Sequence, residues 1–185
     1  MLLGNIELDI GCGRGTFIAR IAREKPNTVF VGIDINEDNA NASQERIARD
    51  CLSNAIIAHD EAENFITRNV QDDSLAAAHI YFPTPYVTGI KRTNILGSHL
   101  SGWLLTERFL LQLHTKCRAG AILRIVTDHR SYFKNIASSV ASSSFVETPW
   151  VNPIRSSTFD NLVGTGLEKR QRSRGKYIYF LQAVA

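Results

Sequence analysis

No apolar run in this chain approaches the roughly 20 residues that span a bilayer as a helix, so a transmembrane anchor is not expected. The opening Met1-Leu2-Leu3-Gly4 carries neither a basic stretch nor a cleavage site, which argues against a secretory leader. Cysteine is scarce. Cys12, Cys51 and Cys117 stand far apart, a spacing that suits neither a zinc site nor a disulfide framework, and a reducing cytoplasmic setting is expected. None of the five histidines lies at ligand spacing from another, so no metal is expected. Charge of one sign is also missing: 21 Lys and Arg against 18 Asp and Glu leave +3, too little to announce nucleic-acid binding. There is no internal repeat and no long linker. At 185 residues and 44% hydrophobic content, residues 1–185 are expected to form one domain with a sizeable core.

Apolar runs and helical patterns alternate along nearly the whole chain. The expected strands are Ile6–Ile10, Val29–Ile33, Ala55–Ala58, Ala76–Phe82, Ile122–Thr127, Phe145–Thr148 and Tyr177–Gln182. Helical patterning covers Thr16–Lys25, Glu37–Cys51, Ala62–Val70, Leu100–Lys116 and Ser131–Ser142. Such alternation predicts an α/β fold, a seven-stranded, mostly parallel sheet with helices on both faces. The last two strands follow one another without a clear helix, which suggests a hairpin at one edge. Five cations, Lys169, Arg170, Arg172, Arg174 and Lys176, fall within eight residues near the C-terminus, either as a solvated loop or as a phosphate-contacting patch.

The segment Leu8-Asp9-Ile10-Gly11-Cys12-Gly13-Arg14-Gly15 joins the first strand to the first helix. Glycines at alternate positions let a backbone come close to a nucleotide-like ligand. A dinucleotide fingerprint wants its third glycine at the sixth position, where this chain has Thr16. Glycine recurs at the fifth position instead, with Asp9 two residues before the first glycine. That pattern resembles the S-adenosylmethionine (SAM) loop of class I methyltransferases, which implies their Rossmann-like fold and SAM as cofactor. Three successive strands end in an acid: Asp9, Asp34 and Asp60. Ligands of open α/β sheets sit beyond such strand ends. Asp34, 19 residues after Gly15, can accept from ribose hydroxyls, Asp60 from an adenine amino group, and Asp9 can hold the loop and the methionine end. The competing reading makes Asp34 and Asp60 helix N-caps. Gly11, Cys12, Gly13, Gly15, Ile35, Glu61 and Phe82 complete the expected cofactor-binding set.

The fourth strand runs into Tyr81-Phe82-Pro83-Thr84-Pro85-Tyr86, where two prolines stiffen the turn and Tyr86 can stack on a planar base. Together with Gly32-Ile33-Asp34, His59-Asp60, Thr127-Asp128, Thr165-x-x-Glu168-x-Arg170 and Gly175-Lys176-x-Ile178-Tyr179, this order of motifs resembles the tRNA (guanine-N7) methyltransferase family. The resemblance implies methyl transfer from SAM to a guanine ring nitrogen. It places Asp128, Glu168, Thr165 and Thr84 at the catalytic positions and Pro83, Pro85, Tyr86, Lys91, Arg92 and Arg170 on the substrate side. For Asp128 the competing reading is a helix N-cap, and for Glu168 a surface partner of Lys169 or Arg172.

This chain departs from the family on the substrate side. Thr84 stands where the family has an aspartate, Tyr86 replaces a tryptophan, Leu167 replaces a tyrosine, and the basic run shrinks to Lys91-Arg92. The family's basic N-terminal extension is expected to be missing. Two further readings therefore stand beside tRNA methylation. One is an N-methyltransferase acting on a purine-like or other heteroaromatic metabolite; the other is a SAM-binding subunit or degenerate homologue with little activity of its own.

Overall fold

The structure is a computed structural model that describes residues 5–84, 92–93, 99–100, 104–154 and 162–185, with residues 92, 93, 99 and 100 described by backbone alone. Pro85, Tyr86 and Lys91 lie outside the described residues. The elements run β1 (Ile6–Ile10), α1 (Thr16–Glu24), β2 (Val29–Asp34), α2 (Glu37–Arg49), β3 (Ala55–His59), α3 (Ala62–Asn69) and β4 (Leu75–Tyr81). After them come β5 (Arg92–Thr93), β6 (His99–Leu100), α4 (Glu107–Lys116), β7 (Cys117–Thr127), α5 (Arg130–Ala141), β8 (Val146–Thr148), α6 (Gly166–Ser173) and β9 (Tyr179–Val184). Among the described residues no helix is long and apolar enough to cross a membrane.

Seven strands form one sheet in the order β3-β2-β1-β4-β7-β9-β8. The first five are parallel neighbours, β9 runs antiparallel to β7, and β8 runs antiparallel to β9. The sheet reverses its winding between β1 and β4, the place where open α/β sheets build ligand crevices.

Strand alternation sorts side chains to two cores. Ile6, Leu8 and Ile10 of β1 join Val31, Ile33, Ile80, Leu123 and Ile125 on one face. There α3, α4 and α5 cover them with Ile66, Phe109, Leu113, Tyr132 and Ile136. On the other face Phe30, Tyr81 and Val126 meet Phe17, Ile18, Ile21 and Ala22 of α1, Ile47 of α2, and Leu162 and Val163. Apolar residues at i, i+1, i+4 and i+5 make α1 amphipathic, which is why Phe17, Ile18, Ile21 and Ala22 are all buried.

Two expectations change. The cations near the C-terminus do not form a loop. Lys169, Arg170 and Arg172 lie on α6, and Arg174 is its C-cap. β8 and β9 do pair antiparallel at one edge of the sheet as expected, but this helix separates them in sequence, so a longer connection joins them than a hairpin turn. Its sequence, Gly-Leu-Glu-Lys-Arg-Gln-Arg-Ser, shows almost no apolar stripe, and its one buried residue is Glu168.

Candidate active site

The tips of β1, β2 and β3 are adjacent, so Asp9, Asp34 and Asp60 share one edge of the sheet. Neither Asp34 nor Asp60 is a helix N-cap. Asn36 caps α2 by accepting from Asn39 N, and Glu61 occupies that position at α3 without a side-chain cap. Asp60 instead accepts from Glu61 N at 2.7 Å, while its own amide donates to Asp34 O at 3.2 Å. The Glu61 carboxyl accepts from Asn64 at 3.1 Å; burial, with Glu63 and Asp60 nearby, pushes its pKa up.

Asp34 clasps the glycine turn. Its Oδ2 accepts from Gly13 N at 2.8 Å, and its Oδ1 from Asn36 N at 2.9 Å and Asn39 Nδ2 at 3.4 Å. A carboxylate offers about four lone-pair sites, so capacity remains for a hydroxyl donor. The other turn amides are also used inside the protein: Gly11 N and Cys12 N donate to Ile33 O, and Gly15 N to Cys12 O. The turn's contribution at Gly11, Cys12, Gly13 and Gly15 is therefore shape more than free N–H groups.

That shape divides the glycines by role. Gly11 and Gly13 have φ of +76° and +55°, and a Cβ on either would meet nothing within 4 Å, so both present bare backbone to open space. Gly15, at φ +71°, has no such room: a Cβ there would lie 2.3 Å from Ser43 Oγ and 3.1 Å from Ser43 Cα. Gly15→Ala is expected to destabilise the protein by about 2–4 kcal/mol, from left-handed strain plus overpacking against α2. Gly13→Ala should cost only the backbone term, about 1–2 kcal/mol, while weakening cofactor binding far more. Thermal melts and calorimetric titration of the two variants separate these roles. The Cys12 side chain does not face the open side. It is buried, 4.0 Å from Ser43 Oγ, and burial, with Asp9 and Asp34 nearby, pushes its thiol well above the ordinary range.

Asp9 is the anomaly of the site. It is 3% exposed, and its Oδ2 has no hydrogen-bond partner among the described residues. Burial, with the Asp34 charge behind it, pushes its pKa up to about 8. An unpaired buried carboxyl is costly unless something cationic or donating completes it. The ammonium of a methionine moiety is such a group, and bare glycine backbone beside it admits a close approach, so the residues present fit SAM.

On the acceptor side the expected residues have different surroundings. Asp128 follows β7 and pairs with Lys176 at 2.5 Å. It is not an N-cap, since His129 Nδ1 accepts from Tyr132 N at the start of α5. Thr165 is the N-cap of α6 and accepts from Glu168 N at 3.1 Å. Glu168 corrects the sequence expectation most sharply. It is wholly buried, its Oε1 accepting from Leu162 N and Arg172 Nε and its Oε2 from Val163 N and Gly164 N, at 2.7–3.0 Å. With every contact turned inward, Glu168 builds the 162–164 segment rather than facing an acceptor. Arg20 holds the same segment from α1, donating to Gly164 O at 2.9 Å. Thr84 is exposed, Pro83 half-buried, and Phe82 sits at φ +54° with its amide donating to Val126 O at 2.6 Å. Ile35 is exposed, as is Arg170 on α6. Arg92 lies on β5.

Sequence reading missed a buried polar row beneath α1. His79 is fully buried, with Nε2 2.9 Å from Glu7 Oε2 and Nδ1 2.8 Å from the Tyr81 hydroxyl. Lys25 completes Glu7 at 2.9 Å. Burial works to raise the Glu7 pKa, but His79 and Lys25 prevail and hold it at about 2. Burial pushes His79 down, so the neutral imidazole bridges Glu7 and Tyr81. The row locks the end of β4, from which Phe82 departs. Its signal was the recurrence of polar residues inside apolar strands at one register, His79 beside Arg124 and Arg124 beside Gln182.

The sheet order with one reversed strand, the glycine turn after β1 and the acid at the tip of β2 define a class I SAM-dependent methyltransferase. A family model described as "Putative methyltransferase" matches residues 4–181, and the chain belongs to that family of enzymes. It is 28% identical over 180 residues to a tRNA (guanine-N(7)-)-methyltransferase of Rubrobacter xylanophilus, covering 97% of this chain and 76% of the relative. Proteins of the same name from Burkholderia thailandensis and Geobacter metallireducens are 29% and 37% identical over 140 and 81 residues. Those alignments cover 76% and 44% of this chain, and 50% and 38% of the relatives. Among solved structures, a SAM-dependent methyltransferase from Aquifex aeolicus aligns with a TM-score of 0.61 at 14% identity, covering 98% of this chain and 84% of that one. The 16S rRNA methyltransferase KamB aligns at 0.63 and 18%, covering 98% and 88%. Both likenesses are of fold.

Proposed function

We propose that this protein methylates a guanine of tRNA at N7, and that the work is done in the cytoplasm. The observation that carries the reading is the Rubrobacter relative of that name, aligned across 97% of the chain. SAM, when bound, supplies an electrophilic methyl on a sulfonium. The protein's own task is positioning, because guanine N7 already presents an sp² lone pair and no proton need be removed before attack. A purine methylated at N7 would carry positive charge, which residues on the acceptor side would have to stabilise. In this reading Asp9 receives the methionine ammonium, Asp34 and Asp60 hold the ribose and adenine, and the stiffened turn after Phe82 borders the methyl. Ile35 and Glu61 flank the adenosine. Asp128 is the carboxylate that would stabilise the purine cation, and its pairing with Lys176 would orient it. Thr84 offers a hydroxyl without charge, and Arg170 is a phosphate contact.

Incubation with labelled SAM and unmodified tRNA, followed by digestion and detection of N7-methylguanosine, tests the proposal. Label confined to a low-molecular-weight extract would favour a heteroaromatic metabolite as acceptor. Absence of SAM binding would leave a non-catalytic scaffold. Asp128→Asn is expected to lower turnover by about 10² while leaving SAM affinity within twofold, the pattern of a lost electrostatic contact to the reacting group. Unchanged turnover would remove Asp128 from the mechanism.

A further inference from the structure

Tyr177 is 64% exposed, an unusual state for a large ring that a folded protein could have buried. It is not loosely held. The C-terminus of α6 is closed by Gly175 N donating to Arg172 O at 2.9 Å and Lys176 N donating to Gln171 O at 3.1 Å, with Gly175 at φ +71°. On the other side Ile178 is buried at 3%, and Tyr179 opens β9 in register with Thr127. The backbone is therefore fixed on both sides of Tyr177. Its ring rests against Tyr179, centroids 4.8 Å apart, and Tyr179 stacks on Phe133 at 5.2 Å with 28° between planes. Three aromatic rings thus form a ladder whose outermost member faces water.

The ladder stands where an acceptor would arrive. Thr127 leads directly into Asp128, and Asp128 pairs with Lys176, the residue before Tyr177. Cations precede it in sequence. Lys169, Arg170 and Arg174 are exposed, and among the described residues none of the three has an ion-pair partner. Arg172 by contrast is committed to Glu168. A rigid exposed ring backed by other rings, beside unpaired cations, is the combination that binds unstacked nucleotides: the ring takes a base face and the cations take the phosphates. A purely apolar partner would not call for that charge, and a duplex would not offer a base face.

We propose that Tyr177, backed by Tyr179 and Phe133 and preceded in the chain by Arg174, is a stacking platform for an unpaired RNA base adjacent to the methylated guanine. The proposal rests on the tRNA reading above and deepens it. Its chemistry is sequence-tolerant, since every base has a π face.

Binding of fluorescently labelled unmodified tRNA at fixed ionic strength, with wild type, Tyr177→Ala, Tyr177→Phe and Arg174→Gln, tests it. Tyr177→Ala should weaken tRNA binding about tenfold, with melting temperature and SAM affinity unchanged. Tyr177→Phe should bind within twofold of wild type, because stacking needs no hydroxyl. The salt slope should be unchanged in Tyr177→Ala and shallower in Arg174→Gln, separating stacking from phosphate contact. Wild-type affinity in Tyr177→Ala, in a protein that does methylate tRNA, overturns the platform and leaves the tRNA reading standing. Equal losses in the Ala and Phe variants overturn stacking as the mode of contact. A loss matched by a lowered melting temperature assigns Tyr177 to the fold and overturns the proposal. Wild type that binds no tRNA overturns the tRNA reading, and the platform with it.

Discussion

Glu168→Gln is expected to lower the melting temperature by roughly 10 °C, although it replaces one residue of a short, highly charged helix with a close isostere. The carboxylate accepts three backbone N–H groups, from Leu162, Val163 and Gly164, as well as Arg172 Nε, and it is wholly inaccessible to water. An amide has one oxygen. Its NH₂ end must face at least one N–H donor and leaves the Arg172 charge without its partner. Breaking a buried charged pair while orphaning a backbone amide costs about 3–5 kcal/mol. For a chain of this size each kcal/mol is worth about 2–4 °C. The 162–164 segment also packs Leu162 and Val163 against α1, so its loosening should expose the face beneath Phe17 and Ile18. Differential scanning calorimetry checks the stability. Single-turnover kinetics at a temperature where the variant is folded check the chemistry, which should be nearly that of wild type. A large loss of the chemical step at an unchanged melting temperature would return Glu168 to the acceptor pocket and refute its role as a scaffold.

The Glu168 case shows what was legible in the sequence and what was not. Apolar runs and the glycine turn are local signals, and they placed β1, β2, β3 and β4 to within a residue or two. Thr165-x-x-Glu168 was equally visible, but its meaning depended on where the preceding residues turned. Thr165 does cap α6 through Glu168 N, as a capping box would. The Glu168 carboxylate instead reaches past the cap to amides four to six residues back, a geometry set by Gly164 at φ +66° and by Arg20 arriving from α1. No local rule contains that long-range contact. The helix itself escaped notice because it has no apolar stripe; tertiary hydrogen bonds, rather than periodicity, hold it. The polar row of Glu7, His79, Arg124 and Gln182 was hidden for a related reason. Each residue taken alone reads as a break in an apolar strand, and only the register across β4, β7 and β9 makes His79, Arg124 and Gln182 neighbours.

Asp9→Asn is expected to make the protein more stable and its cofactor binding much weaker, two effects of one unpaired carboxyl. Burial first, and the Asp34 charge second, raise the pKa of Asp9 from 3.8 to about 8 in the folded protein. Between those values the unfolded chain has released a proton that the folded protein still holds. Stability is therefore fully present below about pH 4 and falls as pH rises toward 8, by an amount of the order of several kcal/mol across the window. Asparagine keeps the shape and cannot ionise, so the variant's melting temperature should exceed that of wild type at pH 7 and vary less between pH 5 and 8. Ligand binding runs the other way. A cationic amino group brought against Asp9 favours the ionised carboxyl, so SAM binding at pH 6–7 should expel close to one proton, and affinity should rise as pH climbs toward 8. Calorimetric titration in two buffers of different ionisation enthalpy reads that proton directly. Asp9→Asn should release none from this site and bind SAM at least tenfold more weakly, the scale of a lost charge-assisted hydrogen bond. Wild type that binds SAM with no proton release and no pH dependence would mean that the methionine end lies elsewhere, and that Asp9 serves only the turn.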